Sequence, residues 1–172
     1  MNEPKFRAFI EQAPVAVCLN RNGIVLYCNK NYLKLFGFST MEEVIDSHVS
    51  RFYAPRFRAE ILDRYQKLRQ GLQVPPEYES IALAKGGGEF PVHISIAEIQ
   101  LDDGKANLAF IIDITERKKS EARIQLLLAE NELILKEVHH RIKNNMNTMK
   151  SLISLQASRV KDEEAKAAFA DT

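Results

Sequence analysis

Apolar and polar residues follow different periods in two parts of the chain. Residues 6–115 mix alternating, strand-like segments with short helix-like segments, whereas residues 116–160 contain no Gly or Pro and keep a helical period throughout. The change of period places a boundary near Asp113–Glu116. The pattern therefore predicts a mixed domain followed by one long helix.

Five apolar segments of the first part are typical of β-strands. They lie at 15–20, 24–28, 77–84, 90–100 and 107–114. Asn22-Gly23, between the first two, predicts a tight hairpin. In the fourth segment, apolar residues alternate with polar or small ones, which predicts one buried face. The two faces hold Val92, Ile94 and Ile96 on one side and His93, Ser95 and Ala97 on the other.

Helix signals precede the first strand and separate the second strand from the third. The predicted helices lie at 6–12, 31–36, 41–46 and 56–70. Asn29 can cap the second helix and Gly37 can end it, while Ser39 or Thr40 can cap the third. Two strands, then helices, then three strands predict an α+β fold. Its sheet would be five-stranded and antiparallel, with helices on one face.

Several motifs of the first part resemble the PAS domain family. Ala13-Pro14 precedes the first strand, and residues 29–38 read Asn-Lys-Asn-Tyr-Leu-Lys-Leu-Phe-Gly-Phe. Residues 88–92 read Gly-Glu-Phe-Pro-Val, and the most specific match is the closing Asp113-Ile-Thr-Glu-Arg117.

This resemblance covers about residues 6–118 and implies a PAS sensor domain at 6–115, with a ligand that it does not identify. In the family, the Asp-Ile-Thr motif joins the last strand to a signalling helix. The resemblance therefore implies that Asp113 and Thr115 couple the signal to that helix. From the residues alone, either side chain could simply cap the helix, and the two roles are compatible.

A stripe of apolar residues follows the long helix at spacings typical of a coiled-coil or bundle seam. Its members are Leu127, Ile134, Val138, Ile142, Met146, Met149, Ile153 and Leu155. Asn131 lies on the same stripe, where it would set the register of a parallel homodimer through residues 120–160. The two steps of four residues from Ile134 to Ile142 form a stutter, which locally unwinds a supercoil.

Two adjacent histidines lie on this helix and face different directions. Val138 and Ile142 define the buried direction of the stripe. At 100° per residue, His140 points about 180° away from that direction and His139 about 80°. We therefore expect His140 to face solvent and His139 to lie on the flank.

The neighbours of His140 suit a nucleophilic imidazole. Glu137 lies three residues before it and Asn144 four residues after it, so both can contact the ring. A carboxylate or amide bonded to one ring nitrogen selects the tautomer that leaves the other nitrogen free to attack. Lys136 and Lys143 could help hold an anionic phosphoryl group. The alternative is an ordinary exposed histidine on a charged helix face.

The motif around the histidine pair resembles the phosphoacceptor box of one histidine-kinase subfamily. Residues 137–145 read Glu-Val-His-His-Arg-Ile-Lys-Asn-Asn, and Leu152 and Leu155-Gln156 extend the match. In this subfamily Arg follows the acceptor, as Arg141 does here. The resemblance implies that His140 accepts phosphate from ATP and passes it to an aspartate of a response regulator. The rival interpretation is a non-catalytic PAS module that only dimerises.

The same resemblance divides the helical part into a signalling coiled-coil linker at 116–136 and a partial dimerisation and histidine phosphotransfer domain at 137–172. Asp162 could cap a second helix at 163–169. The sequence contains no Gly-rich ATP lid and no Asn-containing nucleotide box. We therefore expect a fragment of a histidine kinase that is inactive alone, with ATP bound by a domain absent from this chain.

Composition narrows the functional classes. The net charge of +1 gives no argument for a nucleic acid or an anionic membrane as partner. No run approaches the ~20 apolar residues of a membrane span, and the first residues lack a signal-peptide core, so we expect a cytoplasmic protein. Cys18 and Cys28 lack a CxxC spacing and are expected to be free thiols. No metal site is predicted.

Three further signals have ordinary explanations. Lys85-Gly-Gly-Gly lacks the ending of a phosphate loop and joins two strands, so it predicts a hairpin loop. His48 is expected to be a capped loop histidine rather than a haem ligand. Flavin adduct chemistry needs a cysteine in the middle helices, whereas both cysteines lie on predicted strands. A set of residues fits a packed core or a ligand cavity equally well: Phe52, Tyr53, Phe57, Ile61 and Tyr65.

Overall fold

The structure, a computed structural model, describes residues 3–159, with side chains described from 5 to 156. The helix predicted at 163–169 and its cap Asp162 lie outside this range. The chain falls into two units, the first ending at Lys119 and the second beginning at Ser120.

Among the described residues, the elements follow the predicted order of strands, helices and strands. They are α1 (Glu3–Gln12), β1 (Ala16–Arg21), β2 (Ile24–Cys28), α2 (Lys30–Phe36), 3-10 turns at Met41–Glu43, Val49–Phe52 and Pro55–Phe57, α3 (Arg58–Arg69), β3 (Glu77–Leu83), β4 (Glu89–Leu101), β5 (Gly104–Asp113) and α4 (Thr115–Arg159). None of these helices is both long and apolar enough to cross a lipid bilayer.

The strands form one antiparallel sheet in the order β2-β1-β5-β4-β3. The first and last strands pair at its centre, which joins the two ends of the domain into one layer. Asn22 and Gly23 have φ angles of 51° and 86°, the left-handed backbone that a two-residue hairpin turn requires. The predicted α+β fold with a five-stranded antiparallel sheet is confirmed.

Helix α2 has the two ends that its sequence predicts. The Asn29 side chain accepts a hydrogen bond from the N–H of Tyr32 at 2.9 Å, so it satisfies one of the free donors of the first turn. Gly37 ends the helix with a left-handed φ of 76°, a conformation that costs a glycine little.

The helix predicted at 41–46 is mostly absent. Thr40 precedes a single 3-10 turn, Met41–Glu43, and no regular helix follows it. The N–H of Asp46 donates to the carbonyl of Val25 on β2 at 3.0 Å, and Asp46 has a φ of 61°. This long-range pairing with the sheet overrides the local helix pattern, so the prediction was wrong beyond its first turn.

The helix predicted at 56–70 starts later than expected. Pro55–Phe57 forms a 3-10 turn, and the α-helix proper begins at Arg58. Proline is favoured at the first position of a helical turn because it has no N–H to leave unpaired. Gly71, with a φ of 74°, follows the end of α3, as predicted.

The main core lies between one face of the sheet and the middle helices. Val92 and Ile94 are only 1% and 2% exposed, and Ile96 packs against the same cluster, which confirms the predicted buried face of β4. Phe36 and Phe52 pack edge to face in this core, with ring centroids 5.8 Å apart.

The opposite face of the sheet is partly covered by α1. Ile10 of this helix packs with Val17 and Leu19 of β1. The middle helices therefore lie on one face, as predicted, and the N-terminal helix adds a second, smaller core on the other.

Candidate functional site

The histidine pair lies well inside α4, and both side chains are exposed in this chain. The structure records no hydrogen bond or ion pair from His140 to any residue that it describes. An exposed neutral imidazole offers at least one ring nitrogen with a free lone pair. The geometry therefore leaves His140 open to an incoming electrophile, and it leaves His139 open as well.

Glu137 contacts Arg141 rather than His140. The Arg141 guanidinium donates to Oε1 of Glu137 through Nε at 2.9 Å and through Nη2 at 2.6 Å. A charged donor with two N–H groups competes well against a neutral imidazole for a carboxylate. The described residues include no hydrogen bond between Glu137 and His140. Because both side chains are mostly exposed, this ion pair costs little to open.

Asn144 also makes no side-chain hydrogen bond to His140 among the described residues. Its backbone carbonyl accepts a hydrogen bond from Oγ1 of Thr148 at 3.0 Å. Such a bond to the preceding turn is common for Thr in a helix. The proposed roles of Glu137 and Asn144 toward the imidazole therefore stay predictions.

The apolar stripe of the second unit is uncovered among the described residues. Its side chains are between 43% and 61% exposed at Leu127, Ile134, Val138, Ile142, Met146, Met149 and Leu155. A helix with a continuous apolar face is stable in water only when that face packs against a partner. The exposed stripe is consistent with a seam that another helix covers.

The junction between sheet and helix is capped by Asp113. Its Oδ1 accepts hydrogen bonds from the N–H of Thr115 at 2.8 Å and from the Thr115 hydroxyl at 2.5 Å. Ile114, between them, is buried and donates its N–H to the carbonyl of Pro91 on β4 at 3.0 Å. Asp113 thus supplies an acceptor for the first N–H of α4, and the start of α4 is held against β4. The role of Asp113 and Thr115 in signal coupling stays a prediction.

Glu79, which the sequence analysis did not single out, binds the first turn of α4. Its carboxylate lies 2.7 Å from Nζ of Lys118 and also pairs with Arg117. Hydrogen bonds from Lys118 and Arg117 lower the pKa of Glu79 to about 2. The only hint in the sequence was an acidic residue at an outward position of a strand, since its partners lie 38 residues or more away.

A cavity of about 30 Å³ lies between the sheet and the middle helices. This is room for roughly one or two water molecules. Phe52, Tyr53 and Tyr65 line the cavity, whereas Ile61 is a core residue that does not reach it. Phe52 and Tyr65 also belong to the buried core, so the two interpretations, core and cavity wall, are not exclusive.

Hydroxyl groups and one amide face this cavity. The Tyr65 hydroxyl donates to Oδ1 of Asn20 at 3.0 Å, and the hydroxyls of Tyr53 and Tyr78 lie 2.9 Å apart. Nδ2 of the buried Asn20 has no partner among the described residues. Burial raises the pKa of Tyr53 and Tyr65, so both phenols keep their protons near neutral pH.

His48 is a capped loop histidine, as predicted. Its Nδ1 accepts a hydrogen bond from the N–H of Ser50 at 3.2 Å, and its ring packs closely over Gly23, where a Cβ would lie 2.3 Å from Nε2. Desolvation, with a smaller effect of Arg69, lowers its pKa. Within residues 3–159, no group of three or more His, Cys, Asp or Glu side chains is placed to hold a metal ion.

Comparison with known protein families decides the class of the first unit. A family model described as "PAS domain" matches residues 14–116. The chain belongs to the PAS domain family. A second model, described as "Histidine kinase", matches residues 137–172, which include the histidine pair. The resemblances to both families are thereby confirmed.

Curated relatives of this PAS-family chain include kinases. The sensor histidine kinase PdtaS of Mycolicibacterium smegmatis is 42% identical over 62 residues, covering 36% of this chain and 12% of the relative. PdtaS of Mycobacterium tuberculosis is 25% identical over 161 residues, covering 90% of this chain and 30% of the relative. Sporulation kinase A of Bacillus subtilis is 22% identical over 78% of this chain and 23% of the relative. The chain thus spans less than a third of these relatives.

Solved PAS domains share the fold of the first unit. A PAS domain from Desulfitobacterium hafniense aligns with a TM-score of 0.54 at 23% identity, covering 62% of this chain and 98% of that chain. A PAS domain from a two-component sensor histidine kinase aligns with a TM-score of 0.52 at 16% identity, covering 66% of this chain and 99% of that chain. At these identities the likeness concerns the fold alone.

Proposed function

We propose that this chain is the sensor and phosphoacceptor part of a two-component histidine kinase. Residues 6–115 are the PAS sensor, 116–136 a signalling coiled-coil linker, and 137–172 part of a dimerisation and phosphotransfer domain. One observation carries the proposal: an exposed histidine pair lies in the segment that matches the histidine-kinase family, on the helix that leaves the PAS domain.

His140 is the proposed acceptor. The lone pair of one ring nitrogen attacks the γ-phosphorus of ATP, which is bound by a catalytic domain outside this chain. An N–P bond forms while the P–O bond to ADP breaks, and ADP leaves with the electron pair of that bond. The phosphoryl group then moves to a response-regulator aspartate: a carboxylate oxygen attacks phosphorus and the ring nitrogen recovers its lone pair.

Glu137, Asn144 and the neighbouring lysines are proposed to assist this step. When Glu137 leaves Arg141, its carboxylate can accept a hydrogen bond from the N–H of the second ring nitrogen and so fix the reactive tautomer. Arg141, released at the same time, adds a bidentate cation beside the incoming phosphate. Exchange of this weak, exposed ion pair is the local rearrangement that we expect on phosphate approach.

The exposed apolar stripe supports a homodimer through residues 120–160. A second copy of the chain would cover the stripe and leave the outward side of the helix, with His140, open to a catalytic domain. Asn131 would then be buried and would specify the register of the two helices, at some cost in stability.

Transfer in trans tests this proposal. The 172-residue chain is incubated with a histidine-kinase catalytic domain and ATP labelled in the γ-phosphate, and bound label is compared in the wild type, His140→Gln and His139→Gln. We expect label in the wild type and in His139→Gln, stable to alkali and labile to acid, and at least about tenfold less in His140→Gln. Undiminished label in His140→Gln would refute the assignment of His140.

The alternative is a non-catalytic module that uses the PAS domain and coiled coil for assembly alone. The exposed stripe fits that function equally well, because dimerisation does not require a histidine. Absence of label from the wild type, together with a stable dimer in sedimentation, would favour this alternative.

A further inference from the structure

The two faces of strand β3 serve different parts of the molecule. Tyr78 and Ala82 point to the inner face and line the cavity. Glu79 lies between them in sequence and therefore points to the opposite face. One short strand thus carries cavity-wall side chains on one side and the carboxylate that binds α4 on the other.

The contact between Glu79 and α4 joins the far edge of the sheet to the outgoing helix. Helix α4 follows β5 directly, and β4 separates β5 from the edge strand β3. The backbone of Ile114 already ties the junction to β4. Glu79 extends the attachment to β3 by holding Arg117 and Lys118, two cations of the first helical turn, on one carboxylate.

We propose that Glu79 is the positioning residue that couples β3 to the first turn of α4. A change in the contents of the cavity displaces Tyr78 or Ala82 of β3. The backbone of β3 is paired with β4 along its whole length, so the displacement moves β3 as a unit and not one residue alone. Glu79 then carries Arg117 and Lys118 with it. This inference rests on the proposed function in one respect: the helix so moved is the one that carries His140.

The contact has the properties that such a coupling needs. Glu79 stays ionised at any physiological pH, since its partners hold its pKa far below neutrality. The groups are partly exposed, so the ion pairs can stretch or re-form without trapping a charge in the interior. On the cavity side, the bond between the hydroxyls of Tyr53 and Tyr78 connects β3 to the middle of the domain.

Amide hydrogen exchange in the full 172-residue chain tests the contact. Protection factors of Lys118 and Lys119 are compared in the wild type, Glu79→Gln, Arg117→Gln/Lys118→Gln and the combined triple variant. The matched control is Glu98→Gln, which removes an exposed ion pair with Lys105 in the β4–β5 hairpin. We expect protection about five- to tenfold lower in Glu79→Gln and no change in Glu98→Gln. Adding Glu79→Gln to Arg117→Gln/Lys118→Gln should cause no further loss, so the triple variant should match that double variant.

Unchanged protection in Glu79→Gln, or additive losses in the triple variant, would overturn the inference. The urea midpoint of each variant, followed by tyrosine fluorescence, separates local release of the helix from general destabilisation. This outcome is independent of the proposed kinase function, because exchange is measured without ATP or a catalytic domain. Failure of His140 to take label would leave the exchange result intact.

A second cycle tests the route from the cavity. Tyr53→Phe removes the hydroxyl that bonds Tyr78, and it is made in both the wild-type and the Glu79→Gln background. We expect it to change protection at Lys118 and Lys119 by at least about twofold in the wild type and not in Glu79→Gln. Equal responses in the two backgrounds would show that β3 reaches α4 without Glu79, and would refute its coupling role.

Discussion

Replacing Asn29 by Ala is expected to destabilise the PAS domain severely. The Asn29 side chain is completely buried and makes four hydrogen bonds. Its Oδ1 accepts from the N–H of Val17 at 3.0 Å and of Tyr32 at 2.9 Å. Its Nδ2 donates to the carbonyls of Ile10 at 3.0 Å and Val15 at 2.9 Å. One side chain therefore ties α1, β1 and α2 together.

The size of the stability loss follows from the backbone groups that lose their hydrogen-bond partner. Alanine would leave these donors and acceptors unpaired, at a cost of about 1 kcal/mol or more for each bond lost. We expect a loss of about 4 kcal/mol in the free energy of unfolding. The matched control is Asn31→Ala, two residues away, whose side chain donates one hydrogen bond, to the carbonyl of Ala13. That change should cost about 1 kcal/mol.

Urea unfolding followed by tyrosine fluorescence measures both losses in the PAS domain alone. The chain has 5 Tyr and no Trp, and every tyrosine lies before Lys119, so the signal excludes the helical unit. With a slope of about 2 kcal/mol per molar urea, Asn29→Ala should lower the midpoint by about 2 M and Asn31→Ala by about 0.5 M. Equal shifts for the two variants would refute the reasoning that four buried bonds converge on Asn29.

Two other properties follow from the electrostatics. Lys118 and Arg117 lower the pKa of Glu79 in the folded state. The contribution of Glu79 to the free energy of unfolding is therefore complete above pH ~4.5 and is lost as the pH falls toward about 2. An NMR titration of its carboxyl carbon with a midpoint near 4.5 would contradict this. Burial raises the pKa of Cys28 to about 12 and raises that of Cys18 further. We expect both thiols to resist a disulfide reagent at pH 8 until urea unfolds the domain. Rapid reaction of the native protein would disprove that protection.

Features set by neighbours in sequence were predictable. The Asn22-Gly23 turn and the caps of α2 depend on two or three consecutive residues, whose backbone preferences act locally. The heptad-like stripe and the absence of Gly and Pro likewise predicted α4 over its whole described length. The alternation at Val92 and Ile94 identified the inner face of β4.

Features set by distant residues were not predictable. The segment at 41–46 has a good helix pattern, but hydrogen bonds to β2 draw Asp46 out of it. The Glu79 contact depends on where the sheet ends and α4 begins, which no local pattern encodes. Glu137 and Arg141 have the i,i+4 spacing of an ordinary helix ion pair, and this pair occupies the carboxylate that His140 was expected to bind.

The most direct test of the proposed kinase role is to locate the transferred phosphate. The wild-type chain is incubated with a catalytic domain and ATP, digested at alkaline pH, and the peptide covering residues 137–145 is sequenced by mass spectrometry. The account predicts a phosphoryl group on the ring of His140. A phosphoryl group on His139 instead, or an unmodified peptide under conditions in which the same catalytic domain labels its own acceptor, would contradict it.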